Sequence, residues 1–182
     1  MATRNAGLVE TAPASESTDF QVVGLMIGGE EYALDILNII GVERLENVLQ
    51  LPKMPHFIEG VMRIRGEVVP LVRLRSRFGF EERANDRETR VIVVSLATGE
   101  GGAPQTVGYI VDSVTSVYRL DRQQIEAAPT MALTVESRFV DGVIRVGERM
   151  VILLNPFRVL FDDESEQLQR AAAVARHYVD EA

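Results

Sequence analysis

The sequence predicts an all-β protein made of two packed β-barrels with short helices, and three observations lead to this prediction. Apolar runs of strand length recur through residues 20–154, separated by turn residues such as proline and glycine. Helical patterns are scarce before residue 156. One pattern of strand, turn and strand occurs twice, which indicates two similar subdomains. Many short strands at close spacing are typical of barrels rather than of alternating strands and helices.

The first two predicted strands, residues 20–27 and 31–36, flank the pair Gly28-Gly29, which tolerates the positive φ angles of a tight hairpin turn. Seven further strands are predicted at residues 39–45, 61–64, 68–74, 91–96, 107–117, 143–146 and 150–154. One-turn helices are expected at residues 56–59, 75–78 and 121–125.

The repeated pattern is the strongest sign of internal duplication. Residues 59–64 read Glu-Gly-Val-Met-Arg-Ile and lead to Gly66-Glu67, whereas residues 141–146 read Asp-Gly-Val-Ile-Arg-Val and lead to Gly147-Glu148. Each copy predicts one hairpin of a small barrel. Two such barrels would meet along a groove, and grooves between subdomains are favoured binding places.

Both ends of the chain differ from the barrel region, residues 18–161. Residues 1–17 have few large apolar groups and are expected to form a flexible tail. Residues 162–182 form an acidic extension whose six carboxylates and two arginines give a net charge of −4. Helical spacing predicts a weakly amphipathic helix there, with Leu168, Ala172, Ala175 and Val179 on one face. This helix either lies on the barrel surface or binds a partner, and it is expected to reach the arginine-rich region or that partner.

Composition excludes several classes of function. The 182 residues are 46% hydrophobic, enough for a sizeable core, and the net charge of −8 argues against general nucleic-acid affinity. The absence of cysteine excludes disulfides and thiolate metal sites, and only His56 and His177 offer imidazole. The apolar runs are too short to span a bilayer, and the N-terminus lacks the apolar stretch of a secretory signal. A cytoplasmic location is expected.

A run of arginines is the sharpest local feature: Arg63, Arg65, Arg73, Arg75 and Arg77. Three interpretations remain open, namely strand faces paired with carboxylates, a surface for an anionic protein partner, and a nucleic-acid patch. The last lacks interleaved aromatic residues for base stacking. A carboxylate group of Asp35, Asp112 and Asp141 is conceivable, but turn and strand-end roles are commoner. We therefore predict no catalytic site, no metal site and no cofactor.

Several motifs resemble one family. They are Glu-Tyr-Ala-Leu-Asp-Ile at residues 31–36, Pro-His-Phe-Ile-Glu-Gly-Val at 55–61, Ile-Arg-Gly-Glu-Val-Val-Pro-Leu-Val at 64–72 and Gly-Tyr-Ile-Val-Asp-Ser-Val at 108–114. A last block, residues 139–142 leading to residues 150–155, completes the order. Together they resemble the CheW-like coupling proteins of bacterial chemotaxis arrays.

The resemblance implies two five-stranded, SH3-like barrels without catalytic activity. Such proteins bind the cytoplasmic tip of a chemoreceptor in the groove between the barrels, and they bind the regulatory domain of a CheA-type histidine kinase. Other CheW-like proteins join them in the array, and the membrane is reached only through receptors. The implied receptor-binding residues are Ile36, Ile39, Gly60, Arg65 and Gly66. Core packing is an equal alternative for the two isoleucines.

Three departures from the family pattern affect the expected partners. Gly41 stands where the family often has an acidic residue, so a partner for Arg65 is missing or is replaced by Glu43. Arg73 and Asn155 each replace an aspartate of the family pattern. The main rival interpretation is a small β-barrel that binds a ligand or nucleic acid through the arginines of residues 63–77.

Overall fold

The computed structural model describes residues 19–97, 102–128, 136–160 and 162–180, and side chains of the last segment over residues 163–177. The expected flexible tail at residues 1–17 lies outside these ranges. The strands in chain order are β1 Asp19–Ile27, β2 Glu30–Asp35, β3 Ile39–Arg44, β4 Ile58–Ile64, β5 Glu67–Arg73, β6 Arg90–Leu96, β7 Gln105–Val111, β8 Ser113–Asp121, β9 Ile125–Glu126, β10 Val140–Val146 and β11 Arg149–Leu154.

The strands form two sheets, which confirms the all-β prediction with two barrel subdomains. The first sheet has the order β8-β1-β2-β11-β10-β9, and the second has the order β3-β6-β7-β5-β4. The first sheet has six strands rather than five, because the two-residue strand β9 pairs with β10. Each sheet contains one parallel pair, β11 with β2 and β5 with β7.

The repeated sequence pattern forms equivalent hairpins, β4–β5 in one sheet and β10–β11 in the other. Both hairpins shift register at their glycine, Gly60 and Gly142 respectively. A Cβ on Gly60 would lie 2.2 Å from the Leu49 carbonyl oxygen, and one on Gly142 would lie 2.8 Å from the Glu126 carbonyl oxygen. The duplicated glycine therefore lets a neighbouring backbone approach the first strand of each hairpin.

The two sheets share one large apolar core. Leu25, Ile27 and Leu34 of the first sheet are buried in the same cluster as Ile92 and Tyr109 of the second. The Tyr109 hydroxyl donates a hydrogen bond to the Pro156 carbonyl oxygen at 2.6 Å, and burial raises the pKa of this tyrosine. Each barrel also has a smaller core of its own. Because most of the large side chains lie in the shared cluster, the barrels depend on each other for burial.

The chain passes from the second sheet to the first at Asp112, between β7 and β8. The sequence predicted a single strand over residues 107–117, but β7 ends at Val111 and β8 begins at Ser113. This prediction was wrong because strand-forming residues continue on both sides of Asp112 and hide the crossing. The Asp112 carboxylate accepts hydrogen bonds from the Gly28 amide at 2.9 Å and from Arg75 Nε and Nη2 at 3.0 and 2.6 Å. The Asp112 amide donates to the Met26 carbonyl oxygen at 3.0 Å. The carboxylate thus joins the crossing to the β1–β2 turn.

The short helices follow the predictions in part. Helix α1, Leu74–Arg77, and the one-turn 3-10 helix Arg122–Gln124 lie where helical turns were expected. The turn expected at residues 56–59 was wrong, because β4 already begins at Ile58. Further 3-10 turns occur at Ile36–Asn38, Ser137–Phe139 and Pro156–Arg158.

Helix α2, Asp162–Asp180, packs against the barrels. Leu168 is buried in the shared core, while Ala172 and Ala175 pack in a cluster with residues of β4 and β5. The Glu164 carboxylate accepts hydrogen bonds from Arg77 Nη1 and Nη2 at 3.0 and 2.7 Å. The acidic extension therefore does reach the arginine-rich region. The side chain of Val179 lies outside the described residues, and no helix within the described ranges is long and apolar enough to cross a membrane.

Two substitutions on α2 test how this helix is held. Glu164→Gln leaves the Arg77 guanidinium, whose side chain is only 7% exposed, without its carboxylate. We expect the free energy of unfolding to fall by about 3 kcal/mol in urea denaturation, because an unpaired buried charge is costly. Glu166→Gln is the matched control, since Glu166 pairs with Arg170 on the exposed face and should give no measurable change. Equal effects of the two substitutions would contradict this account.

Candidate functional site

Three of the five clustered arginines form internal ion pairs. Arg73 Nε donates to Glu59 at 2.9 Å, Arg75 pairs with Asp112, and Arg77 pairs with Glu164. Side-chain exposures of 10%, 13% and 7% show that these guanidinium groups lie largely inside the protein. Arg77 also lies over the Phe57 ring, with 4.2 Å between its guanidinium carbon and the ring centroid. These three arginines stabilise the fold and are not available to a ligand.

Arg65 differs from these three because it projects from a hairpin turn. Arg65 and Gly66 connect β4 to β5 with φ angles of 51° and 88°, which are typical of a two-residue turn with both central residues at positive φ. The Arg65 side chain is 73% exposed, and its Nη2 donates a hydrogen bond to Glu43 Oε1 at 3.2 Å. Arg65 is therefore held at the surface by an ion pair with β3.

Gly41 makes room for this ion pair. A Cβ at Gly41 would lie 3.3 Å from Arg65 Nη2, so a side chain there would crowd the guanidinium. Glu43 lies two residues further along β3 and supplies the carboxylate. The sequence left open whether Arg65 lacks a carboxylate partner or pairs with Glu43, and the structure shows the pair with Glu43. The loss of a carboxylate at position 41 is thus compensated within the same strand.

An apolar cleft of about 200 Å³ lies beside the Arg65–Glu43 pair. Ile40, Val69 and Val93 contribute its apolar wall, with Ile64 below the turn. Ile40 is 51% exposed, and Leu37 in the preceding 3-10 turn is 81% exposed. Large aliphatic side chains at such exposure mark a surface that a partner can cover. The cleft can therefore bury apolar groups while Arg65 binds a carboxylate or carbonyl oxygen at its edge.

The structure brings part of the predicted receptor-binding set together. Arg65 and Gly66 share one turn, and Arg65 pairs with Glu43, four residues beyond Ile39 on β3. Ile36 lies in the 3-10 turn before β3 and is half-buried, while Ile39 is half-buried and packs against the shared core. Gly60 is buried within the β4–β5 hairpin against the Leu49 backbone. A receptor-binding role for these residues remains a prediction.

Sequence reasoning missed the exposed side chain of Ile40 in the cleft and that of Leu37 in the preceding 3-10 turn. The signal that favours Ile40 is the alternation in β3, where Ile40 and Val42 are exposed and Gly41 and Glu43 are half-buried. The adjacent isoleucines made the outward position ambiguous. The pairing of β3 with β6 also shifts register between Ile39 and Gly41 of β3. Such a bulge changes which side chains face outward, so the alternation alone does not predict the exposed positions.

The other candidate groups have separate structural partners. The Asp35 carboxylate accepts a hydrogen bond from the Leu37 amide at 3.0 Å, whereas Asp141 accepts one from Asn155 Nδ2 at 2.8 Å. Asp112 is paired with Arg75 as described above. Among the described residues, no group of three or more histidine or acidic side chains is placed to hold a metal ion. The three aspartates therefore stabilise turns and strand ends.

The two-barrel fold agrees with the family that the sequence matches. The family model described as CheW-like domain matches residues 21–164. The chain belongs to the CheW-like family. The resemblance stated from the sequence motifs is thus confirmed, and membership of this family makes the chain a chemotaxis adaptor.

Curated relatives and a solved structure agree with this assignment. The chemotaxis protein CheW of Klebsiella aerogenes is 32% identical over 168 residues, covering 92% of this chain and 98% of that protein. The chemotaxis protein CheW of Helicobacter pylori is 30% identical over 143 residues, covering 79% of this chain and 82% of that protein. The scaffolding protein TtCheW of Thermoanaerobacter tengcongensis superposes with a TM-score of 0.72 at 27% identity, covering 85% of this chain and 96% of that one.

The remaining departures from the CheW-like pattern also have structural roles. Arg73 pairs with Glu59 and donates a second hydrogen bond to Asn85 Oδ1 at 2.8 Å. Asn155 accepts a hydrogen bond from the Phe157 amide at 2.9 Å and so caps the 3-10 turn after β11. Both changes preserve the barrels, because each new side chain finds hydrogen-bond partners within its own neighbourhood.

Two glycine substitutions separate a structural role from a surface role in this CheW-like site. Gly60→Ala is expected to lower the free energy of unfolding by about 3 kcal/mol or more, because its Cβ would collide with backbone at a φ of 143°. Gly66→Ala should cost only about 1 kcal/mol of backbone strain, since its Cβ would have no atom within 4 Å. Urea denaturation of both variants checks the order, and a larger loss for Gly66→Ala would contradict it.

Proposed function

We propose that this chain couples the cytoplasmic tip of a chemoreceptor to the regulatory domain of a CheA-type histidine kinase. The single observation that carries the proposal is the apolar cleft beside the exposed Arg65–Glu43 pair. Membership of the CheW-like family supports it, and residues 64–72, one of the motifs that resemble the coupling proteins, contribute to the lining of this cleft.

The receptor tip is a helical hairpin, and the cleft has the chemistry that suits an amphipathic helix. Ile40, which is 51% exposed, can cover part of an apolar stripe of the helix, above a floor formed by the buried Val69 and Val93. Arg65 offers several N–H donors at the edge of the cleft, and its Nη2 donates to Glu43 Oε1. A receptor carboxylate or carbonyl oxygen would then receive a charge-assisted hydrogen bond, which fixes the orientation of the helix.

The kinase would bind another surface of the barrels, because an adaptor must hold receptor and kinase at the same time. Each contact need only be weak, since many linked contacts in an array raise the effective concentration of every partner. Other CheW-like proteins would occupy equivalent places in such an array. The chain would act in the cytoplasm, and it would be recruited to arrays at the inner membrane through receptors.

The proposed role is non-enzymatic and requires no cofactor. An adaptor transmits a signal by binding, so it needs complementary surfaces rather than a nucleophile or an acid–base pair. The cleft fits this requirement, because aliphatic side chains line it together with the Arg65–Glu43 ion pair, Glu67 and Thr106.

The rival function is a barrel that binds nucleic acid or another ligand through the clustered arginines. The ion pairs that three of these arginines form argue against it. Arg73, Arg75 and Arg77 are paired with carboxylates inside the fold and cannot contact phosphates without breaking these pairs. The overall charge of −8 also repels a polyanion. Non-specific nucleic-acid binding depends on phosphate contacts from available cations.

The substitution Arg65→Glu tests the receptor surface. We expect binding to a purified receptor cytoplasmic fragment, measured by isothermal titration calorimetry, to weaken about tenfold or more, because the new carboxylate lies beside Glu43 and repels acceptor groups. The fold should persist, because Arg65 is 73% exposed. Arg170→Glu, a change at an arginine 79% exposed on α2, is the control for a general charge effect.

A charge-swapped pair distinguishes direct binding from positioning. Arg65→Glu combined with Glu43→Arg restores an ion pair between the turn and β3 while moving the cation onto β3. If Arg65 binds the receptor directly, the double variant should bind the receptor fragment as weakly as Arg65→Glu does. Unchanged receptor binding by Arg65→Glu, or full recovery in the double variant, would contradict the assignment of Arg65 as a receptor contact.

A further inference from the structure

A second cleft, which we call the basic cleft, shares Arg65 and Glu43 with the apolar cleft. Its volume is about 630 Å³. The charged side chains that line it are Arg44, Arg63, Arg65, Arg90, Glu43 and Glu46. Four arginines against two glutamates give this surface a local positive charge on a protein whose net charge is −8.

The basic cleft lies between β3 and β4, the two end strands of the second sheet. Within the described residues these strands are not paired with each other. The segment after β3 pairs with β4 at one point, where the amides of Leu49 and Val61 each donate to the other's carbonyl oxygen at 2.9 Å. Between β3 and this point, Asn47 adopts a left-handed backbone conformation with a φ of 50°. The barrel is therefore open beside Arg63, and the arginines line this opening.

Two of these arginines face each other across the sheet. Arg44 at the end of β3 is directly opposite Arg90 at the start of β6. Like charges in directly opposed cross-strand positions destabilise a sheet. Arg44 is exposed, and no carboxylate of the described chain lies within ion-pair distance of it. Arg90 is held by its Nη1, which donates to the carbonyl oxygens of Arg87 and Thr89 at 2.7 and 2.8 Å. An anion between Arg44 and Arg90 would relieve their repulsion.

We propose that the basic cleft binds an acidic segment of a partner protein, whose carboxylates bridge Arg44 and Arg90. A protein segment fits better than a nucleic acid, because Glu43 and Glu46 in the same cleft would repel a continuous phosphate backbone. The cleft is also lined without aromatic side chains on which bases could stack. A peptide can place separate carboxylates beside the arginines and uncharged residues beside the glutamates.

The basic cleft is distinct from the proposed receptor surface in its key residues. Arg44 and Arg90 line the basic cleft but not the apolar cleft. Binding of an acidic segment at the basic cleft can therefore be tested independently of the coupling function. An adaptor with both clefts would present two surfaces of different chemistry, one for an apolar helix stripe and one for carboxylates, on either side of the Arg65–Glu43 pair.

The test uses a fluorescein-labelled synthetic peptide in which glutamates alternate with serines, and a matched peptide with glutamine in place of every glutamate. Fluorescence anisotropy with the full chain at low salt should show binding of the glutamate peptide and not of the glutamine peptide. Arg44→Gln should weaken binding about tenfold or more, as expected for the loss of a charge-assisted contact. Arg170→Gln on α2 should leave binding unchanged, since Arg170 lies outside the cleft.

Thermal unfolding of the same variants separates binding from folding. Arg44→Gln removes the like-charge pair, so its melting temperature should equal or exceed that of the unchanged chain even though peptide binding is weakened. The proposal is overturned if the glutamate peptide does not bind at low salt, or if Arg44→Gln binds it as well as the unchanged chain. Equal losses in Arg44→Gln and Arg170→Gln, or tighter binding of an oligothymidine than of the glutamate peptide, would also overturn it.

Discussion

The two-barrel structure depends on the ion pair between Arg75 and Asp112, at the point where the chain leaves one sheet and enters the other. Both side chains are largely buried, with exposures of 13% and 15%, so neither charge could remain there alone. The hydrogen bond to Asp112 raises the pKa of Arg75, which keeps the guanidinium charged. Because the same carboxylate binds the Gly28 amide, the crossing is fixed to the first hairpin, and the shared core can form between the sheets.

The arginines between residues 63 and 77 have different roles because they occupy different positions in the fold. Arg73 is the last residue of β5, and Arg75 and Arg77 lie in α1. All three side chains are largely buried and pair with carboxylates from other parts of the chain. Arg65 lies at the tip of the β4–β5 hairpin, where a two-residue turn projects it outward. The Arg65–Glu43 pair then separates an apolar surface from a basic one. A protein with two such surfaces is suited to holding two partners, which is the task of an adaptor.

Local patterns in the sequence predicted the hairpins and the duplication. Turn glycines and the apolar runs of strands are set by residues that are neighbours in the sequence, so they can be recognised without the structure. The roles of Gly60 and Asp112 could not be predicted, since they depend on Leu49, Gly28 and Arg75, which are remote in sequence. The compensation of Gly41 by Glu43 was one of two alternatives that the sequence left open, since sequence alone does not show whether Glu43 reaches Arg65. The outward position of Ile40 was missed, since two adjacent isoleucines and a bulge leave the register open.

The most direct test of the adaptor function is autophosphorylation of the CheA-type kinase from the same organism, reconstituted with a membrane-embedded chemoreceptor, with and without this chain. The coupling proposal predicts that kinase activity responds to the receptor only when the chain is present, and that the Arg65→Glu variant fails to restore the response. A receptor-dependent change of kinase activity that is the same without the chain, or no response with all three proteins present, would contradict the proposed function.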